Sequence, residues 1–154
     1  MEYVQIRRMT AADLARVKEI DASLPDAPHW PQSAYANALN PDSTPRRMAL
    51  VAADTESGAI HGFTVASLLP PQAELETIAV AAASQRRGLG WRLFQELISQ
   101  LLADGAHTVV LEARASNRTA RGFYRSLGFG LTGLRPRYYT DPVEDAVLMS
   151  LPLA

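Results

Sequence analysis

A short glycine-rich stretch is the first feature of this sequence that could do chemistry. It reads Gln85-Arg86-Arg87-Gly88-Leu89-Gly90 and lies between a predicted strand and a predicted helix. Glycines let a ligand approach backbone N–H groups, and a helix N-terminus adds unpaired donors and the positive end of its dipole. The stretch therefore predicts a cradle for a phosphate or pyrophosphate, although an ordinary turn can have the same composition.

Two residues further along the chain could move protons. Glu112 follows the apolar residues Val109 to Leu111, and a carboxylate in a buried strand is costly unless it is paired or used. It is therefore either a functional carboxylate or the ion-pair partner of Arg114, which shares its strand face. Tyr124 falls on the apolar face of a short predicted helix, where it is either a proton donor or a hydrogen-bonded core tyrosine.

Several other chemistries find no support in the residues. No serine lies in Gly-x-Ser-x-Gly, no Gly-Lys-Ser/Thr phosphate loop is present, and the histidines at 29, 61 and 107 lack helical metal spacing. A dinucleotide fingerprint would need a third glycine where Leu93 stands. With zero cysteines there is no disulfide, thiolate metal site or cysteine nucleophile. We expect no metal site.

The charge is unevenly distributed along the chain. The net charge is -1, but residues 86–154 contain nine arginines and six acidic residues, whereas residues 1–85 contain six basic and ten acidic residues. Arginine is well suited to bidentate contacts with phosphate, so a small polyanion is one expected ligand, and solvated helix faces are the alternative. Nucleic-acid binding is disfavoured because the net charge is negative and no RNA-recognition aromatic motif accompanies the arginines.

Length and composition bound the architecture. With 154 residues, 47% hydrophobic and 20% charged, the chain is expected to form one globular domain over residues 1–154. Its longest apolar runs, Met48 to Ala53 and Ile78 to Ala83, are far shorter than the roughly 18 residues of a membrane span. The first residues read as a strand and not as an export signal, so the expected location is the cytoplasm.

The elements that must position these residues follow from periodicity and from turn signals. The predicted order is β-α, loops, β-β-β-α-β-α-β-β, with the strongest helix at Arg87 to Ala103 and a shorter one at Thr119 to Leu127. The strand that precedes the glycine-rich stretch is predicted at Glu74 to Val80. Prolines between Leu24 and Pro45 predict loops around one short helix near Ser33 to Leu39. This segment contains Trp30 and is either a binding loop or an ordered surface loop whose aromatic residues cover the core.

In combination these segments resemble the GCN5-related N-acetyltransferases (GNAT). More narrowly they are similar to bacterial ribosomal-protein-alanine N-acetyltransferases of the RimI type. The segments that match, dense between Leu75 and Gly130, are Ile78-Ala79-Val80, Gln85 to Gly90, Leu111 to Asn117, Phe123-Tyr124, Leu127-Gly128-Phe129, Arg137-Tyr138-Tyr139 and Glu144-Asp145-Ala146.

The resemblance implies an α/β (α+β) GNAT fold, in which helices flank a central mixed, mostly antiparallel sheet that splays to admit acetyl-CoA. It implies that the backbone of Ile78, Ala79 and Val80 pairs with the pantetheine arm and that Asn117 hydrogen-bonds to it. It also assigns the pyrophosphate to a run of six residues: Arg86, Arg87, Gly88, Leu89, Gly90 and Trp91.

The chemistry implied by the resemblance is direct attack of an amine on the thioester. Glu112 matches the RimI-type base and Tyr124 the acid that protonates the leaving thiolate. Glu76 is a second base candidate, because other branches of the family carry a carboxylate on its strand. An α-amine has a pKa of about 7.7–8.0, so the base removes a weakly held proton.

For RimI-type enzymes the acceptor is the N-terminal alanine of a small-subunit ribosomal protein. By resemblance Trp30 and Tyr138 frame the acceptor entrance, and acidic Glu144 and Asp145 either suit a basic peptide or are simply solvated. Pro31-Gln32 replaces a common Ser-Glu pair. The alternatives are a small-molecule amine acceptor, such as an antibiotic, polyamine or amino acid, and a non-catalytic acyl-CoA sensor.

Overall fold

The computed structural model describes residues 3–153, which form one seven-stranded sheet flanked by four α-helices. The elements in chain order are β1 (Val4–Arg8), α1 (Leu14–Ser23), α2 (Gln32–Ala38), β2 (Arg46–Asp54), β3 (Ile60–Leu69), β4 (Gln72–Val80), α3 (Leu89–Ala103), β5 (Thr108–Arg114), α4 (Arg118–Ser126), β6 (Gly130–Thr140) and β7 (Val143–Pro152). This is the predicted element order.

The sheet has the strand order β1-β2-β3-β4-β5-β7-β6. Every neighbouring pair is antiparallel except β4 and β5, which run parallel. The parallel step arises because α3 carries the chain across one face of the sheet between the two strands, as crossover connections require. The predicted mixed, mostly antiparallel sheet flanked by helices is confirmed.

Each face of the sheet carries its own apolar core. On one face α3 buries Leu93, Leu97 and Leu101 against alternate residues of the strands. On the other face α1 and α2 bury Val17, Ile20 and other side chains against the opposite residues. The alternation of side chains along β2 supplies both cores, since its even-numbered residues Met48, Leu50 and Ala52 face α3 and the odd-numbered residues between them face α1.

Two of the element boundaries that differ from the sequence prediction lie next to the glycine-rich stretch or on the strand before it. α3 begins at Leu89 and not at Arg87, because Gly88 (φ +76°) and Arg86 (φ +65°) are in the left-handed region and cannot continue a right-handed helix. β4 begins at Gln72 and not at Glu74, since Pro70 and Pro71 form a tight turn that leads directly from β3 into β4.

Candidate active site

The sheet divides at the pair of parallel strands. β4 and β5 are in register only from Gln72–Thr108 to Glu74–Val110. Beyond that point β4 pairs with β3 alone and β5 with β7 alone, within the part of the chain that the structure describes. The carboxyl halves of the two strands therefore diverge and leave an opening along the edge of β4 that contains Ile78, Ala79 and Val80.

A β-bulge lies in β4 at this opening. Val65 pairs with Thr77 and Ala66 with Leu75, so Glu76 is an extra residue without a partner on β3. The bulge reverses the alternation of side chains: Leu75 faces the α3 core, whereas Ala79, four residues later, faces the α1 core. The Glu76 carboxylate lies 3.2 and 3.3 Å, through its two oxygens, from the Nε atom of Arg47.

The glycine-rich stretch follows directly after β4 and ends at the N-terminus of α3. Gly88 is the N-cap residue, and a Cβ atom added there would meet no atom within 4 Å. The first N–H groups of α3 point out of the helix end, where the helix itself offers no acceptor. Open space, unpaired donors and the positive end of the dipole make this loop fit an anionic group such as a pyrophosphate.

Different structural constraints favour glycine at the two glycine positions of the loop. A Cβ atom at Gly90 would lie 3.1 Å from Cζ of Phe123, so this glycine permits α3 and α4 to pack closely. We predicted that both glycines admit a phosphate, and for Gly90 the structure gives packing as the reason. Leu89 is buried in the α3 core, whereas Trp91 is 47% exposed on the outer side of α3.

Glu112 lies on β5 beside the opening, with its side chain 25% exposed. Its Oε1 atom is 3.4 Å from Nη1 of Arg135, a residue of β6. The alternative that Glu112 pairs with Arg114 is wrong, because Arg114 pairs with Glu144 at 3.2 Å. β6 and β7 thus supply the partners of Glu112 and Arg114, which the sequence of β5 alone cannot reveal.

Tyr138 lies against Glu112. Its polar contact with the Glu112 carboxylate, and the negative charge of that group, raise the pKa of the Tyr138 hydroxyl. The guanidinium of Arg135 also lies over the Tyr138 ring, 5.4 Å from its centre. Glu112, Arg135 and Tyr138 therefore form one polar cluster at the mouth of the opening.

Glu74 is a member of this neighbourhood that the sequence reasoning missed. Burial, and then the negative charges of Glu76 and Glu112, raise the pKa of its carboxyl. It lies at the last parallel pair, where β4 and β5 begin to diverge. The available signal was its alternation with Glu76 on the strand predicted to carry the cofactor.

Tyr124 is positioned by α4, which follows β5. Its ring packs near Phe123 and Phe129, with centres 5.8 and 6.1 Å away. Burial and the proximity of Tyr139 raise the pKa of the Tyr124 hydroxyl. Burial, and then the negative charge of Glu112, raise the pKa of the Tyr139 hydroxyl.

Asn117 is the N-cap residue of α4. Its Oδ1 atom accepts a hydrogen bond of 3.1 Å from the N–H of Ala120, which satisfies one free donor of the helix end. The loop before it is tied to β7, because Glu144 accepts a hydrogen bond of 2.7 Å from the N–H of Ser116. Hydrogen bonds from Ser116 and Arg114 lower the pKa of the Glu144 carboxyl. Glu144 thus serves the fold and is not simply solvated.

Trp30 lies in the loop between α1 and α2 and is partly buried. Its ring lies 5.0 Å from that of Tyr35 and packs against the α1 core. The buried carboxylate of Asp21 orders the loop, since it accepts hydrogen bonds from the N–H groups of His29 and Trp30 and from the Tyr35 hydroxyl. The structure thus brings Trp30 together with Tyr35, whereas Tyr138 lies beside Glu112.

Metal and membrane features can be stated briefly. Among residues 3–153, no three His, Asp or Glu side chains cluster in a way that could hold a metal ion. Over the same residues, no helix combines the length and the apolar character needed to cross a bilayer.

Comparison with known proteins places this geometry in a family. The profile of the Acetyltransferase (GNAT) family matches residues 14–129. The chain is 41% identical over 102 residues to the ribosomal protein bS18-alanine N-acetyltransferase of Escherichia coli K12, covering 65% of this chain and 69% of that protein. It is 38% identical to the N-alpha-acetyltransferase RimI of Mycobacterium tuberculosis, covering 96% and 92% of the two chains.

A solved structure agrees with the sequence comparison. The crystal structure of the ribosomal-protein-S18-alanine N-acetyltransferase from Escherichia coli superposes with a TM-score of 0.81 at 33% identity, over 98% of this chain and 94% of that one. The family profile covers the split in the sheet, the glycine-rich loop and Glu112, and it ends before Arg135 and Tyr138. The chain belongs to the GNAT acetyltransferase family.

Proposed function

We propose that this protein transfers the acetyl group of acetyl-CoA to the N-terminal α-amine of a protein. The observation that carries the proposal is the polar cluster of Glu112, Arg135 and Tyr138, which lies where β4 and β5 diverge beside the N-terminus of α4. A carboxylate beside an opening lined by free backbone can take a proton from an amine that approaches a ligand held along that edge.

The cofactor is held by backbone more than by side chains. The edge of Ile78 to Val80 that faces away from β3 has no neighbouring strand, so its backbone can pair with the pantetheine amides in the manner of an added strand. The loop from Arg86 to Trp91 binds the pyrophosphate with the N–H groups of α3 and with arginine. The side-chain oxygen of Asn117 caps α4, so its side-chain nitrogen is the group that donates a hydrogen bond to the pantetheine.

Acetyl-CoA supplies a thioester, whose carbonyl carbon accepts the amine and whose sulfur leaves as a thiolate. Glu112 accepts the proton that the ammonium group of the acceptor must lose. Tyr124 donates its hydroxyl proton to the thiolate, and its raised pKa keeps that proton in place at neutral pH. Glu76 is the weaker base candidate, because Arg47 contacts both of its oxygens.

The proposed acceptor is a peptide N-terminus, and a small-subunit ribosomal protein is the first candidate. The support is the identity to the bS18-alanine and N-alpha-acetyltransferases, together with the position of Tyr138 beside Glu112. We assign Trp30 to the wall of the acceptor entrance because its ring packs on Tyr35. We assign it no direct contact with the acceptor. An acceptor of this class is made in the cytoplasm, where we expect the enzyme to act.

The test is an assay of the purified protein with acetyl-CoA, in which thiol release is measured against defined amines. A peptide that begins Ala-Arg is compared with the same peptide blocked at its N-terminus, and with a panel of aminoglycosides, polyamines and amino acids. We expect thiol release with the free peptide alone, and a single acetyl group on its α-amine by mass spectrometry. Release with small amines only would assign the enzyme to the small-molecule branch.

A further inference from the structure

The hairpin of β6 and β7 contains an irregular segment next to the polar cluster. Arg135 pairs with Ala146, and Tyr139 pairs with Glu144. Three residues of β6, Pro136, Arg137 and Tyr138, therefore lie opposite the single residue Asp145 of β7. This is a bulge with two extra residues, and such features re-aim side chains beside functional sites.

The backbone of this bulge is held in an unfavourable conformation. Arg137 has φ +53°, in the left-handed region that residues with a Cβ atom rarely adopt. Its N–H group lies outside the regular ladder and donates a hydrogen bond of 2.9 Å to Oδ1 of Asp145. The Asp145 carboxylate therefore compensates both for the lost ladder bond and for the strain.

The bulge decides which way Tyr138 points. In a regular strand Arg135 and Tyr138, three positions apart, would face opposite sides of the sheet. Here the guanidinium of Arg135 pairs with Glu112 and lies over the Tyr138 ring, 5.4 Å from its centre, and the adjacent Tyr139 faces the same side, with its ring under the guanidinium of Arg114 at 4.3 Å. The left-handed residue makes this arrangement possible.

We propose that Asp145 is a positioning residue of the acceptor site, which holds Arg137 in its left-handed conformation and thereby keeps the Tyr138 ring beside Arg135 and its ion-pair partner Glu112. The proposal rests on the proposed acetyl transfer and deepens it. Asp145 touches neither substrate, so its effect passes through Tyr138. It also replaces our expectation that Asp145 is an acidic contact for a basic peptide or simply solvated, because the carboxylate is engaged by the backbone of the same hairpin.

The kinetic test compares Asp145→Ala, which removes the acceptor oxygen, with Asp145→Asn, which keeps an oxygen at the same place. We expect Asp145→Ala to raise the KM for the peptide about 10-fold, the effect of one lost hydrogen bond to a strained group, with the KM for acetyl-CoA unchanged. Asp145→Asn should retain a peptide KM near that of the wild type. The matched control is Asp141→Ala, which removes an exposed carboxylate from the turn of the same hairpin.

A double-mutant cycle tests the cause. Glycine adopts positive φ without penalty, so Arg137→Gly should reduce the dependence of the bulge on Asp145. We expect Asp145→Ala to raise the peptide KM by a smaller factor in the Arg137→Gly background than in the wild type. An equal factor in both backgrounds would overturn the proposal. The double variant also covers the case in which Asp145→Ala alone fails to fold.

A measurement independent of turnover completes the design. Ultraviolet titration of tyrosinate, with Tyr138→Phe to identify the contribution of Tyr138, reports contact with Glu112 through the raised pKa of that hydroxyl. In Asp145→Ala this pKa should fall towards its ordinary value; an unchanged titration would overturn the proposal. If the wild-type enzyme shows no turnover, the proposed function fails, and the titration still decides whether Asp145 positions Tyr138.

Discussion

The choice between two carboxylates depends on their exposure and on their ion-pair contacts. Arg47 contacts both oxygens of Glu76, at 3.2 and 3.3 Å. Arg135 contacts one oxygen of Glu112 at 3.4 Å, and the Glu112 side chain stays accessible from the opening. The Glu112 side chain is 25% exposed against 14% for Glu76, and its ion-pair contact is longer than either contact of Glu76, so these two comparisons favour Glu112 as the base.

The first prediction is that Glu112→Gln lowers turnover at neutral pH by about 10²- to 10⁴-fold, the range for loss of a general base. Activity should recover partly as the pH rises above about 8, where the α-amine of the acceptor has already lost its proton. The measurement is the pH profile of kcat at saturating acetyl-CoA.

Two companion variants make that result specific. Glu76→Gln should leave the shape of the pH profile unchanged, because the amide still fills the space beside Arg47. Arg135→Ala removes the ion-pair partner of Glu112 and keeps Glu112 itself, so it distinguishes loss of the ion pair from loss of the base. If Glu112→Gln kept the wild-type rate and profile, the base would have to be sought at Glu76 or Glu74.

The second prediction concerns Tyr124→Phe, which keeps the ring packing against Phe123 and Phe129 and removes the proton. Turnover should fall about 10²- to 10⁴-fold with little change in the Kd for CoA. Because burial and Tyr139 raise the pKa of Tyr124, the hydroxyl stays protonated in the wild type up to at least its ordinary value near 10, and no loss of activity below pH 9 should trace to it. A variant with normal turnover but a lower melting temperature would make Tyr124 a core residue.

The sequence identifies individual candidate functional residues better than it identifies the residues that pair with them. Glu112 and Tyr124 stand out because a carboxylate in a buried strand and a hydroxyl on an apolar helix face each demand an explanation. The alternative for Glu112 was an ion pair with Arg114 on its own strand, whereas its partner in the structure is Arg135 of β6. Cross-strand partners depend on register, and the sequence of one strand does not specify the register of its neighbours.

At the scale of elements, the loop before α3 is built around one glycine that backbone geometry requires. Gly88 has φ +76° and would place a Cβ atom into open space. The sequence predicted this loop and the helix that follows it, because glycine and arginine mark the turn and leucines mark the helix. The bulges at Glu76 and Arg137 could not be predicted, since they depend on pairing with distant strands.

The third prediction is that Gly88→Val weakens CoA binding about 10-fold or more, because the side chain would occupy the space beside the helix N–H groups and strain the N-cap. Isothermal titration calorimetry measures the affinity. The matched control is Gly58→Val: Gly58 has φ +77° and also faces open space, but lies in the turn between β2 and β3. Both variants should lose similar stability, and only Gly88→Val should lose affinity; equal affinities would remove the pyrophosphate from this loop.

At the scale of the whole molecule, the sheet consists of two parts joined along a short seam. Strands β1 to β4 form one part and β5, β7 and β6 the other, and only three residue pairs connect β4 to β5. The order of elements could be predicted from hydrophobic periodicity. The split could not, because it depends on where two distant strands stop pairing, and it entered the prediction only through the family resemblance.

The fourth prediction follows from the seam. Backbone amides of Leu75 to Val80 that face the opening have no strand partner there, so they should exchange hydrogen faster than those of β3. Addition of CoA should slow their exchange and raise the melting temperature in proportion to the logarithm of its concentration. Hydrogen exchange read by mass spectrometry checks this, and protection confined to other strands would show that the ligand does not pair with β4.

Two neighbouring carboxylates of β7 hold two different segments of the chain. Glu144 holds the backbone of Ser116, ahead of the cap of α4, and Asp145 holds the backbone of Arg137 in β6. A small shift of β7 therefore displaces both the loop assigned to the cofactor and the hairpin assigned to the acceptor. Thermodynamic linkage then makes the two ligands reciprocal: whatever factor acetyl-CoA adds to the affinity for the peptide, the peptide adds to the affinity for acetyl-CoA.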